Sequence, residues 1–129
     1  MLTIQQAAQE NKIGLLKALL ETNPEVLDSI DSDGRTALHW ASSSGAREIV
    51  QYLIGMQAQV DKQDESGWTA LHIATSAGHQ DIVIDLLGAG ADVKKTNDKG
   101  LTALSLIAIM PLRDQEQRLE EYSSRGEPT

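Results

Sequence analysis

Thr36-Ala37-Leu38-His39 recurs as Thr69-Ala70-Leu71-His72, and a third copy, Thr102-Ala103-Leu104-Ser105, follows at the same interval of about 33 residues. Sliding the window from Asp31 to Gln63 onto the window from Asp64 to Thr96 matches roughly half the positions, which marks stacked structural units. Each full unit reads as a turn and two short helices. Asp31-Ser32-Asp33-Gly34-Arg35 supplies turn chemistry. Thr36 offers a hydroxyl at a helix start, and the first helix stops near Gly45. The second helix carries Ile49, Val50, Leu53 and Ile54, an apolar stripe repeated as Ile82, Val83, Leu86 and Leu87. One such stripe cannot be buried alone, so the units stack into one continuous core.

The expected fold is therefore all-α: a solenoid of paired antiparallel helices joined by β-turn loops, with about three to four repeats. Over 129 residues this makes one domain, residues 1–122, followed by a flexible tail at 123–129. The domain divides into a capping unit at 1–30, units at 31–63 and 64–96, and a degenerate unit at 97–122. In the cap, one extra residue near Pro24 lets Ile4 and Ala7 align with Leu38 and Ala41. Leu15, Leu16, Leu19 and Leu20 then align with the second-helix stripe, while Gln5, Gln6, Gln9 and Glu10 dress the outside. In the last unit Ser105 replaces the histidine, Ile107 replaces Ala41 and Ala74, and Pro111 stands where Gly45 and Gly78 end the first helix. A branched residue at a close-packed alanine position should cost about 1–3 kcal/mol. Arg113 to Tyr122 is expected to form a short polar helix.

Composition excludes several functions. With no cysteine there is no disulfide, thiolate ligand or thiol nucleophile, which suits the cytoplasm or nucleus. The N-terminus lacks the basic flank and apolar stretch of a signal peptide. The longest apolar run, Leu104 to Met110, is far too short for a membrane span. A net charge of −8 with scattered lysines and arginines repels phosphate backbones, so neither nucleic acid nor membrane is an expected partner. The same charge can steer a basic protein partner, or simply keep the domain soluble.

The Asp/Gly turns, Thr-Ala-Leu-His, the Ile-Val and Leu pairs, and Gly88-Ala89-Gly90-Ala91-Asp92-Val93 together resemble the ankyrin-repeat consensus over residues 1–105. More narrowly, Asp33 to Ala41 and Ser66 to Ala74, each with a tryptophan, resemble the first full repeats of the gankyrin-type chaperones of 26S proteasome assembly. That resemblance implies a monomer that binds the C-terminal domain of one proteasomal ATPase subunit through its concave face, without catalysis and without cofactors. Members of that type carry more repeats, and the loss of consensus after Leu104 implies a truncated, spliced or misannotated member.

The histidines are the usual catalytic suspects. His39 and His72 share one slot in successive units, where the ring can bond the nearby threonine and the loop backbone, so a structural role is expected. His79 is expected to face solvent. A metal site needs three or four converging ligands, and none converge here. Gly34, Gly67 and Gly100 recur once per unit and serve turns, not a phosphate loop. Gln57 stands in the slot of Gly90 and is strained if that slot is left-handed.

The letters that do not repeat point to function. Trp40 and Trp68 are the only tryptophans, there is no phenylalanine, and neither position is needed for the core. In an ankyrin stack both face the concave side, where aromatic anchors with polar surroundings make interface hot spots. Asp33, Arg35, Ser43, Ser44, Glu65, Ile73, Ser76, Asp98, Lys99 and Leu101 occupy adjacent positions. The expected function is a protein-binding module, with an inhibitor or scaffold for another protein, such as a cyclin-dependent kinase, as the competing reading. An enzyme would need a converging pocket of titratable groups, and a truncated product with little stable function would lack repeat-to-repeat support.

Overall fold

Three threonines set the frame. In the computed structural model, which describes residues 2–108, Thr3, Thr36 and Thr69 each sit in extended backbone and accept a hydrogen bond from the N–H three residues on. Each thereby opens a helix: α1 (Ile4–Gln9), α3 (Ala37–Ser44) and α5 (Ala70–Ala77). Gly45 and Gly78 close α3 and α5 in the left-handed conformation, and the chain turns at once into α4 (Arg47–Gly55) and α6 (Gln80–Gly88). In the first unit Asn11, with φ 55°, makes the corresponding turn into α2 (Ile13–Thr22). The last described helix, α7 (Ala103–Ala108), follows the third turn, and the described residues contain no strand. The fold is an all-α solenoid of helix pairs. The expected helix at Arg113 to Tyr122 and the tail lie outside the described residues.

Helices α1, α3, α5 and α7 pack side by side as an inner row, while α4 lies against α6 on the outside. Between the rows runs one apolar core containing Leu16, Leu20, Ile49, Val50, Leu53, Ile82, Val83 and Leu86, all buried, with Ala7, Ala8, Ala41 and Ala74 where inner helices approach most closely. Each fully buried aliphatic side chain contributes about 1.5–3 kcal/mol relative to an exposed one, and no single helix could bury them.

The capping unit shows how the pattern bends. Lys12 N–H donates to Ala7 O as Ala46 donates to Ala41, whereas Asp28 corresponds to Asp61, so the extra residue falls between, where Pro24–Val26 forms a 3-10 turn. Two expectations need correction. Leu15 is 36% exposed, because no described unit covers the far side of α2, while Leu16 and Leu20 are buried. Gln5 is buried, not on the outside. Its Nε2 donates to the carbonyls of Ser29 (2.9 Å) and Arg35 (3.4 Å), the part the histidines play in later units. Ile107 is buried at the alanine slot. Ala41 and Ala74 are squeezed between two inner helices, but α7 has a described helix on one side only.

Candidate protein-binding groove

The turns that precede α3, α5 and α7 are built alike. Asp31 Oδ1 accepts the N–H groups of Asp33 (2.9 Å) and Arg35 (3.0 Å). Asp64 Oδ1 accepts those of Ser66 and Trp68, and Asn97 Oδ1 those of Lys99 and Leu101. Side-chain acceptors of this type fold a turn without help from the rest of the chain. The turns are then stitched into a row: Glu65 N–H donates to Asp33 O (3.0 Å), and Asp98 N–H to Ser66 O (2.9 Å). Close approach requires glycine, since a Cβ on Gly67 (φ 79°) would lie 2.9 Å from the Cα of Asn97 and the backbone N of Asp98.

The histidines join helix to turn. His39 Nε2 donates to Trp68 O and His72 Nε2 to Leu101 O, each at 2.8 Å. A carbonyl can only accept, so Nδ1 is left as the acceptor for the backbone N–H of Thr36 (3.0 Å) and of Thr69 (3.1 Å). Burial holds the His39 pKa below its ordinary value, against the opposing pull of the Trp68 carbonyl. His39 and His72 are therefore scaffold. His79 is half-buried instead of facing solvent, and its Nε2 bonds Ser43 O at 3.1 Å, tying the third unit to the second.

Between this row of turns and the inner helices runs a groove. Arg35, Ser43, Trp68, Ile73, Ser76 and Ala77 line a cavity of about 240 Å³ in it, drawing on two turns and on α3 and α5. Five of these were expected from the sequence, and Ala77 was not. Arg35 is held from two sides. Its Nε donates to Asp64 Oδ2 at 3.1 Å, and its guanidinium lies 5.1 Å from the centre of the Trp40 ring. The Trp40 indole N–H donates to Asp31 Oδ2 at 2.7 Å. Burial raises the Asp31 pKa, but the N–H donors of Trp40, Arg35 and Asp33 outweigh it and leave the carboxyl below its ordinary value. The Trp68 ring leans on His72, with centroids 5.8 Å apart.

The other expected residues scatter around this centre. Asp33, Glu65 and Asp98 stand exposed on the turns. Lys99 and Leu101 belong to the third turn and do not line the cavity, and Ser44 Oγ donates back to Ala8 O at 3.2 Å. Ile73 is 8% exposed, so it forms the floor of the groove and not a protruding contact. Sequence reasoning missed Asp31 and Asp64, the buttresses of the turns that carry Arg35 and Trp68. Their signal was present: an acidic residue four before Arg35 and four before Trp68.

Asp64 and Asn97 hold the same place in successive turns, and their surroundings explain the difference. The Asp64 side chain is 3% exposed and faces the Arg35 cation. One unit later Trp68 stands in the register of Arg35 and offers no charge, so a carboxylate at position 97 would be buried unpaired. The neutral amide avoids that cost, although its Nδ2 is buried without a hydrogen-bond partner.

Among the described residues no group of three His, Asp or Glu side chains could hold a metal ion, and no helix is long and apolar enough to cross a membrane. Paired helices stacked through alanine contacts, with stitched turns along one side, define a repeat solenoid that presents a groove. Residues 4–97 match the family model described as "Ankyrin repeats (3 copies)". The chain belongs to the ankyrin-repeat family, whose members are protein-interaction modules. It is 37% identical over 58 residues to the yeast (Saccharomyces cerevisiae) protein named "Probable 26S proteasome regulatory subunit p28", covering 45% of this chain and 25% of that one. It is 41% identical over 62 residues to the rat (Rattus norvegicus) "26S proteasome non-ATPase regulatory subunit 10", covering 48% and 27%. The human (Homo sapiens) protein of the same name is 41% identical over 60 residues, covering 46% and 26%. The matches thus span about a quarter of the length of these relatives.

Proposed function

We propose that this chain is a non-catalytic, gankyrin-like chaperone of proteasome regulatory-particle assembly, acting in the cytoplasm or nucleus. Its groove would hold the C-terminal domain of one ATPase subunit and, by occupancy, delay premature assembly. The observation that carries this reading is the cavity that gathers Arg35, Ser43, Trp68, Ile73 and Ser76, with Trp40 packed on Arg35. A guanidinium fixed through Nε keeps its terminal nitrogens for a partner carboxylate, and the aromatic ring beside it supplies the apolar anchor. Exposed Asp33, Glu65 and Asp98 on the turns give a rim suited to basic groups on the partner. The partial likeness to proteasome regulatory subunits supports the choice of partner.

Calorimetric titration with the isolated ATPase C-terminal domain tests it. Binding is expected, and Trp40→Ala/Trp68→Ala should weaken it by about 2 kcal/mol or more. Absence of binding, or binding to a cyclin-dependent kinase in its place, would overturn the partner. Binding indifferent to the double substitution would overturn the groove.

A further inference from the structure

The first unit departs from the repeat in a way the groove does not use. In the register that sets Asp28 on Asp61, Val26 falls on Gln59 and Asp92, and Ile30 falls on Gln63 and Thr96. Two positions that carry polar residues in the later units are thus apolar in the first. Ile30 is 55% exposed and Val26 is half-buried. A single exposed isoleucine is ordinary, but these two line a common cleft.

The cleft measures about 360 Å³ and lies between the start of α1, the end of α2 and the segment that runs to the turn at Asp31. Its volume is in the range of clefts that take a ligand group. Leu2, Ile4 and Leu19 complete the apolar lining, and none of the lining residues borders the groove cavity. The stretch from Leu19 to Ile30 supplies more than half of that lining. It contains Glu21, Glu25 and Asp28 and no lysine or arginine. Glu21 and Glu25 are exposed, and neither forms an ion pair among the described residues.

We infer that this cleft is a second protein-binding site, which takes a large aliphatic side chain from a basic segment of a partner protein. Seating that side chain against Val26 and Ile30 removes apolar surface from water on both partners. Lysine or arginine beside it pairs with Glu21 and Glu25, so a basic segment gains both contributions. A neutral segment gains only the first, and an acidic one is repelled. The inference rests on the first unit alone and does not depend on the function proposed for the groove. One chain can then hold two elements of a partner at once.

An NMR titration of the isotope-labelled full chain with the peptide Arg-Lys-Leu-Ile-Lys-Arg tests this, at low and high salt, with circular dichroism to confirm that each variant folds. The amides of Asn23, Val26 and Ile30 should shift while those of Ser43 and Ser76 stay in place, and binding should weaken as salt screens the charges. Ile30→Gln, which installs the residue of the next unit, should weaken binding about fivefold or more. Glu21→Lys/Glu25→Lys should weaken it about tenfold at low salt and should instead bind Glu-Asp-Leu-Ile-Asp-Glu, which the unsubstituted chain rejects. Cleft amides unmoved by the basic peptide would overturn the inference, as would equal shifts with the acidic peptide or with Arg-Lys-Ser-Ser-Lys-Arg. Cleft amides that move on dilution without peptide would give the cleft to a second copy and overturn it too. So would Overhauser contacts from Ile30 to residues 109–129, which would give the cleft to this chain itself.

Discussion

The middle of the stack and its last described helix share the motif Thr-Ala-Leu, but they are held differently. In the middle, His39 and His72 each reach across to the next turn, glycines allow neighbouring turns to touch, and Asp61 and Gln63 fasten the loops. At α7, Thr102 still accepts the N–H of Ser105 (3.2 Å), but among the described residues the serine hydroxyl bonds only back to that threonine (3.1 Å). The helix start is thus a local property that four residues can specify, whereas unit-to-unit adhesion depends on the fourth letter. Most of the stability of a repeat stack lies in that adhesion.

The comparison can be broken deliberately. The largest effect is expected from His39→Ala, which strands Thr36 N–H and Trp68 O in the interior and opens a cavity. It should cost about 3 kcal/mol in denaturant unfolding, against less than about 1 kcal/mol for Ser105→Ala at the end. Equal losses at both positions would mean that the bridge to the next turn contributes little.

Arg35→Ala comes next, because it leaves Asp64 buried without its cation, at a cost of about 2–3 kcal/mol. Asp64→Asn in the same molecule should recover most of it, since Trp68 and Asn97 already realise that neutral combination one unit on. A double variant no more stable than the single one would contradict this reading of the two turns.

The pH dependence should be smaller and of definite sign. Since the folded His39 pKa lies below the unfolded value of about 6.5, the unfolded chain takes up a proton first as pH falls. Stability is therefore unaffected by this group above that value and declines below it, down to the folded pKa. His39→Gln, which retains a donor for Trp68 O, should flatten that part of the curve. A slope unchanged in the variant would assign it elsewhere. Asp31 acts in the acid range, where the stability from its lowered pKa is lost as pH falls through the folded value.

The smallest effect is expected at Gln57, whose φ of 72° confirms the left-handed slot that Gly90 fills one unit later. Gln57→Gly should stabilise by about 0.5 kcal/mol, the relief of strain being partly offset by the greater freedom of the unfolded chain. A lower melting temperature in the variant would count against strain there.

Much of this architecture was legible in the sequence because periodicity reports stacking directly: the stripe from Ile49 to Ile54 has meaning only beside its copy at Ile82 to Leu87. The groove was legible for a related reason, since Arg35 and Trp68 depart from the repeat and line it, whereas Trp40 packs partly against the core. Hidden were the residues whose role depends on who stands next to them. Gln5 reads as a surface residue until the Ser29 and Arg35 carbonyls are placed above it. Asp64 and Asn97 read as variants of one turn until the Arg35 cation separates them.

The central claim is that the groove between the turns and the inner helices is the binding face. The most direct test is an NMR titration of the isotope-labelled chain with the ATPase C-terminal domain. The account predicts that the largest shifts fall on the backbone amides of Arg35, Ser43 and Ser76 and on the indole N–H of Trp68. Shifts concentrated instead on the outer helices α4 and α6, with the Trp68 indole unmoved, would contradict it.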